Sequence, residues 1–202
     1  RSSLVTGVQT CALPIWDPKR MLSSDQKNRW SDVIANLSET HIQIFDGAGQ
    51  SVAEMRAKTR KLMHQFPAKK PILFIDYLTL IHSGQFYGGN MHLQVTEISK
   101  SLKTMAKEFN CPVVCLAQLN RSVESRANKR PMMSDIRESG SVEQDADVIL
   151  FLYREKYYDK DTADDSLEII VSKNRNGAVG FIKVDYNEHT GKIEDHKDQS
   201  FK

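Results

Sequence analysis

Asp76 and Gln118 each close a short apolar run, PILFID from Pro71 and PVVCLAQ from Pro112. Ile72 to Ile75 lack polar alternation, which predicts a strand buried on both faces, as in parallel sheets covered by helices. Pro112 to Ala117 reads the same way. Ligands of open α/β sheets bind at the carboxyl edge of the strands. An aspartate there can hold a magnesium ion, directly or through water, beside a nucleotide's phosphates, which is the Walker B pattern; otherwise it caps the turn that follows. Gln118 carries an amide that can donate to a phosphate oxygen, although a glutamine after a strand is commonly only a surface residue. Two strands delivering polar side chains to one edge suggest a site. Lys173 and Arg175 flank the turn Asn174 to Gly177 (NRNG) and, taken alone, are charges at a hairpin tip. Arg121, Arg126, Lys129 and Arg130 make the segment Asn120 to Met133 locally basic, which usually means a solvated loop.

The elements that must position these residues follow in chain order. Ser23 or Ser24 opens an amphipathic helix with Trp30, Val33, Ile34 and Leu37 on one face. His41 to Phe45 predicts a short strand. Ser51 with Glu54 three residues later predicts a capping box at the start of the next helix, which Pro67 ends. Gln94 to Asn110 predicts a long amphipathic helix, with Val95, Ile98, Leu102, Met105, Ala106 and Phe109 facing the core. Strand, helix and second strand make a βαβ unit. Between them, HSGQFYGGN reads as a loop; its glycines are followed by no GKS or GKT, which argues against a phosphate-binding loop. Ser134 to Gln144 predicts two short helical turns separated by Gly140. Asp147 to Tyr153 predicts a third buried strand, REKYYDKDTADDS a solvated insert, and Leu167 to Lys173 with Val179 to Tyr186 a hairpin around the Asn-Gly turn. Glu194 onward reads as a frayed tail.

Composition sets the class. The chain has 202 residues, 40% hydrophobic and 27% charged, with a formal net charge of +2. That is enough for one domain with a real core, and basic surface must be local rather than global. Cys11, Cys111 and Cys115 form neither an even disulfide set nor a CxxC metal pair, which fits a reducing cytoplasm. No apolar run approaches a membrane span. Arg1 to Ile15 (RSSLVTGVQTCALPI) lacks the basic start of a signal peptide and resembles the conceptual translation of a sequencing-adapter oligonucleotide, so it is set apart from the fold.

FIDYLTLI, LAQLNRSVESR, KRPMMSDIRESGSVEQDADVILFLYRE and IIVSKNRNGAVG resemble, in that order, consecutive motifs of the DnaB-like bacterial and phage replicative helicases. The resemblance runs from Trp16 to Ile193, and SDIRESGSVEQDAD is its most specific block. It implies an α/β, RecA-like P-loop NTPase core: a mostly parallel central sheet flanked by helices, incomplete at the N-terminus, over residues 16–196 with a tail at 197–202. It implies ATP and Mg2+ as cofactors. Asp76 would support the magnesium and the attacking water, and Gln118 would sense the γ-phosphate. Lys173 and Arg175 would reach that phosphate in the neighbouring subunit. Arg137, Glu138 and Gly140 would hold single-stranded DNA by its phosphates, with Glu138 alternatively a salt-bridge partner that positions Arg137. A homo-hexameric ring, a primase and a helicase loader would be the partners, in the cytoplasm and away from membranes. GxxxxGK[ST] occurs nowhere in the sequence. In the family that loop lies upstream of the present start, so the expectation is a motor truncated ahead of it, inactive alone. Rival readings are a recombinase or circadian-type ATPase on the same fold, and a non-catalytic ring partner.

Overall fold

A computed structural model describes residues 31–36, 38–47, 49–136 and 139–196. The expectations for residues 1–30, Leu37, Arg137, Glu138 and the tail 197–202 lie outside these. The chain divides into two units, Arg1–Ala48 and Gly49–Lys202. In the first, residues 31–36 are helical, as the amphipathic period predicts, with Val33 and Ile34 exposed. The strand expected at His41 to Phe45 does not form. A strand is held by its ladder, and the ladders among the described residues lie elsewhere in the chain.

In the second unit, helix α1 (Val52–Gln65) starts with the expected capping box: Glu54 N–H donates to Ser51 Oγ at 3.3 Å, and Ser51 N–H to Glu54 Oε2 at 2.7 Å. Helix α2 (Met91–Phe109) begins three residues earlier than its apolar period predicts, because Asn90 Oδ1 accepts from Leu93 N–H, and it ends at Asn110 in the left-handed conformation. Its buried face, Val95, Ile98, Leu102, Met105 and Phe109, is the one the period predicts. Strands β1 (Leu73–Ile75) and β2 (Val113–Cys115) pair in parallel, Leu73 against Val113 and Ile75 against Cys115. They are not buried on both faces. Leu73, Ile75, Val113 and Cys115 pack on the α2 core, whereas Phe74 is 69% and Val114 41% exposed.

The mostly parallel central sheet expected from the resemblance is not what the chain builds. The larger sheet, β3 (Val148–Tyr153), β4 (Ser166–Asn174), β5 (Gly180–Asn187) and β6 (Lys192–Asp195), is antiparallel throughout, in sequential order, and only β1 and β2 run parallel. Connection length explains the β4–β5 and β5–β6 pairs, but not β3–β4, which are joined by residues 154–165 and still pair antiparallel. Two parallel strands need a crossover of a dozen or more residues, which α2 supplies between β1 and β2. β4 joins β5, and β5 joins β6, through short turns that can only reverse the chain. The second turn closes at Gly191, whose φ of 69° is in the region that favours glycine. β6 also takes up residues read from sequence as a frayed tail. A short helix α3 (Ser139–Asp145) precedes β3, and α4 (Glu155–Tyr158) lies within the charged insert. Gly140 sits inside α3 rather than between two turns. The insert is not merely solvated: Tyr158 stacks on Tyr153 and lies under Lys129, 5.0 Å from the ring centre. Among the described residues no helix is long and apolar enough to cross a membrane.

Candidate functional site

The parallel pair sets the site's geometry. Leu116 N–H donates to Ile75 O at 2.9 Å and Leu78 N–H to Leu116 O at 2.8 Å, so the two strands are stitched one step past their last ladder residues. Asp76 is the first residue beyond β1, and Gln118 is the third beyond β2. Both are exposed at the carboxyl end of the pair. Beneath them the Cys115 thiol is pushed up to about 12, first by burial and then by the Asp76 carboxylate. Asp76 is an oxygen donor of the kind a hard cation takes. No group of three or more metal-ligating side chains forms among the described residues. Magnesium keeps several of its waters and takes one or two carboxylates besides substrate phosphates.

From Gln118 the chain runs straight into an antiparallel bridge. Leu119 pairs with Ile136, and Asn120 N–H donates to Asp135 O at 2.7 Å. Ile136 is the residue before Arg137, so the proposed phosphate sensor and the start of the proposed DNA loop are one bridge apart. Asp135, its side chain 4% exposed, holds that corner. It accepts from Arg126 Nη1 and Nη2 at 3.0 and 2.7 Å and from Met132 N–H at 2.8 Å. Arg126 also donates to Arg130 O at 3.1 Å. Arg130 in turn pairs with Glu168 at 2.5 Å and lies over the Phe181 ring at 4.9 Å. With Lys129 over the Tyr158 ring, three of the four basic residues read from the sequence as a local positive patch are therefore engaged within the fold.

Lys173 and Arg175 come together, but not at Asp76 and Gln118. Lys173 Nζ donates to Glu143 O, and Arg175 Nη2 donates to Gln144 O at 2.9 Å, two successive carbonyls near the end of α3. Arg175 N–H also donates to Asp147 O at 2.8 Å. The hairpin itself is closed by Asn174, whose Nδ2 donates to Ala178 O at 3.2 Å. A Cβ at Gly177 would lie 2.5 Å from that Nδ2, so the Asn174 amide would have to swing aside to admit one. Gly140 differs: a Cβ there would meet nothing within 4 Å, so nothing in the fold demands a glycine at the start of α3.

Sequence reasoning missed Asp135, Asp147, Lys103 and Ser99. Ser99 Oγ donates to Asp145 Oδ2 at 2.8 Å, and Lys103, one helical turn on, pairs with Asp147. The spacing of Ser99 and Lys103 on α2 against Asp145 and Asp147 was the available signal, since residues four apart share a helix face. Nothing local identified the partner.

A family model for the DnaB-like helicase C terminal domain matches residues 15–195. The replicative DNA helicase DnaC of Bacillus subtilis (strain 168) is 45% identical over 164 residues, 81% of this chain and 36% of that protein. The replicative DNA helicase DnaB of Geobacillus stearothermophilus is 44% identical over 81% of this chain and 36% of its own length. The chain thus spans about a third of these relatives. Among solved structures, an ATPase domain superposes with a TM-score of 0.83 at 41% identity, covering 87% of this chain and 62% of that one. A DnaB-like replicative helicase, solved to show its interactions with primase, gives 0.85 at 40% identity, covering 91% and 44%.

Proposed function

The chain belongs to the family of DnaB-like helicase C-terminal domains, and from that premise we propose that residues 16–196 work as part of the motor of a hexameric replicative DNA helicase. The motor hydrolyses ATP with Mg2+, moves along single-stranded DNA and separates duplex during replication. A primase and a helicase loader are its partners in the full-length protein. The observation that supports this reading best is the path from Asp76 and Gln118, exposed on one sheet edge, to the Leu119–Ile136 bridge, which ends one residue before Arg137 in the sequence. It connects a nucleotide edge to a DNA loop within a few residues.

Each residue has a physical task in that cycle. Asp76 supplies a carboxylate for the hydrated magnesium, whose charge would offset that developing on the phosphate oxygens. The Gln118 amide donates to the terminal phosphate and loses that partner when the phosphate leaves. Arg137 and the Gly140 backbone contact DNA phosphates, giving affinity without sequence preference. Lys173 and Arg175 act on the nucleotide of the adjacent subunit, as arginine fingers do.

In the full-length helicase, Asp76→Ala should abolish turnover. Gln118→Ala should retain nucleotide binding but lose the stimulation of hydrolysis by single-stranded DNA. A Gln118→Ala enzyme whose hydrolysis responds to DNA as the parent does would sink the coupling reading.

A further inference from the structure

Arg175 and Lys173 do not hang free from their hairpin. Arg175 Nη2 donates to Gln144 O at 2.9 Å and the backbone N–H to Asp147 O at 2.8 Å, while Nε lies 3.6 Å from Asp147 Oδ1, an ion-pair contact without a hydrogen bond. Lys173 is held by Glu143 O. The last carbonyls of a helix lack intrahelical partners and favour positive charge, so two cations here answer a need of α3 itself. Asp147 is shared between elements. Its Oδ2 accepts from Lys103 of α2, and its carboxyl lies below the usual carboxylate range, chiefly through that hydrogen bond and further through Lys103, Arg175 and Lys173. None of the described contacts of Arg175 takes Nη1, and the side chain is 51% exposed. The opposite end of α3 is Ser139–Gly140, where the DNA-contacting loop is assigned. Seven residues of helix span about 10 Å.

We propose that Asp147 is a positioning residue for the trans-acting pair: with the Glu143 and Gln144 carbonyls it forms a seat that fixes Arg175 and Lys173, and α3 ties that seat to the DNA-contacting loop. The proposal rests on the reading of Arg175 as trans-acting. An unheld arginine spreads over many rotamers, and ordering it costs side-chain entropy. The seat has ordered it beforehand, through Nε and Nη2, and leaves Nη1 for a neighbour. The seat lies at the other end of α3 from Gly140, so a shift of that helix on DNA binding would move the guanidinium and couple one subunit's DNA contact to hydrolysis next door.

The test uses the full-length helicase. Asp147→Asn keeps the size of the side chain and the Arg175 backbone bond, and removes the charge. It should lower kcat for ATP by about tenfold, since displacement of about 1 Å can cost a hundredfold. KM should stay within about twofold, as for an interaction felt only in the transition state. The ratio of turnover with single-stranded DNA to turnover without it should fall toward one. On an Arg175→Ala background, Asp147→Asn should lower turnover no further. Lys103→Met removes the other partner of Asp147 and leaves every Arg175 contact, so the DNA ratio should persist. Unchanged kcat and DNA ratio in Asp147→Asn would overturn the proposal. So would a Lys103→Met enzyme that reproduces the Asp147→Asn defect, because Asp147 would then only anchor α2. Should Asp147→Asn rings fail to assemble, Asp147→Glu takes its place: it moves the carboxylate by one methylene and should lower kcat severalfold at constant KM, and an unaltered kcat overturns the seat. A fully active Arg175→Ala enzyme would remove the trans reading itself. An inactive Arg175→Ala with a silent Asp147→Asn removes the seat alone.

Discussion

Gly140 separates what the fold needs from what a ligand needs. Its φ is not in the left-handed region, and open space surrounds the position where a Cβ would stand. Within a helix an alanine is preferred over glycine by up to about 1 kcal/mol. Gly140→Ala should therefore leave the thermal midpoint unchanged or raise it, while single-stranded DNA affinity falls because the methyl group holds the phosphate off the backbone. Melting and fluorescence anisotropy on the same preparation give both signs. Equal affinity would remove Gly140 from the DNA contact. Gly177 differs: a Cβ there would displace the Asn174 amide that donates to Ala178 O, so a substitution would act on the hairpin turn.

The corner that carries Asp135 is the element on which the site turns. Its carboxylate is buried and Arg126 is its charged partner, so Arg126→Ala strands an ion away from water, a change that costs about 3 kcal/mol. Denaturant midpoints of the parent and of Arg126→Ala would show that loss, and an unchanged midpoint would make the pair dispensable. The large sheet has a pH-sensitive clasp of its own. The Asp164 carboxyl is held down at about 2, against the usual 3.8, first by Lys183 and then by Ser166. A depressed carboxylate stabilises the fold above its unfolded pKa and loses that contribution as pH falls through the folded one. Between about pH 4 and pH 2 the parent should therefore lose stability faster than Asp164→Asn, by a margin reduced because the Asp164 side chain is about one-third exposed; parallel melting midpoints across that range would show no divergence if the clasp is silent. Local signals of this kind were legible beforehand: the Ser51–Glu54 box, the apolar period of α2 and the Asn-Gly turn all depend on residues a few positions apart. What was not legible depends on distant partners. The ladder that makes β3 to β6 antiparallel, and the meeting of Lys103 with Asp147 across 44 positions, leave no local trace. The placement of Asp76 and Gln118 on one edge was legible because apolar runs stop where strands stop. The seat of Arg175 was not, because its carbonyl partners are backbone and carry no residue type.

A ring is where the separation between the two halves of the proposed site gains its meaning. Asp76 and Gln118 stand at the edge of the parallel pair and Arg175 is tied to α3; on the proposed function, one subunit's hairpin would complete another's nucleotide site in head-to-tail assembly. Mixing Arg175→Ala subunits with subunits defective in the phosphate-binding loop should restore some hydrolysis, at interfaces where an intact loop meets an intact Arg175. No recovery in demonstrably mixed rings would return the hairpin to a structural role. The alternating burial of the strands has a different reach. Phe74 and Val114 on the parallel pair, and Val148 and Leu150 on β3, present apolar side chains to solvent along one side of each strand. To a chaperone, a fluorescent dye or another copy at high concentration, such rows are adhesive. In isolation, these strand faces, which the proposed chemistry does not use, favour self-association of the chain.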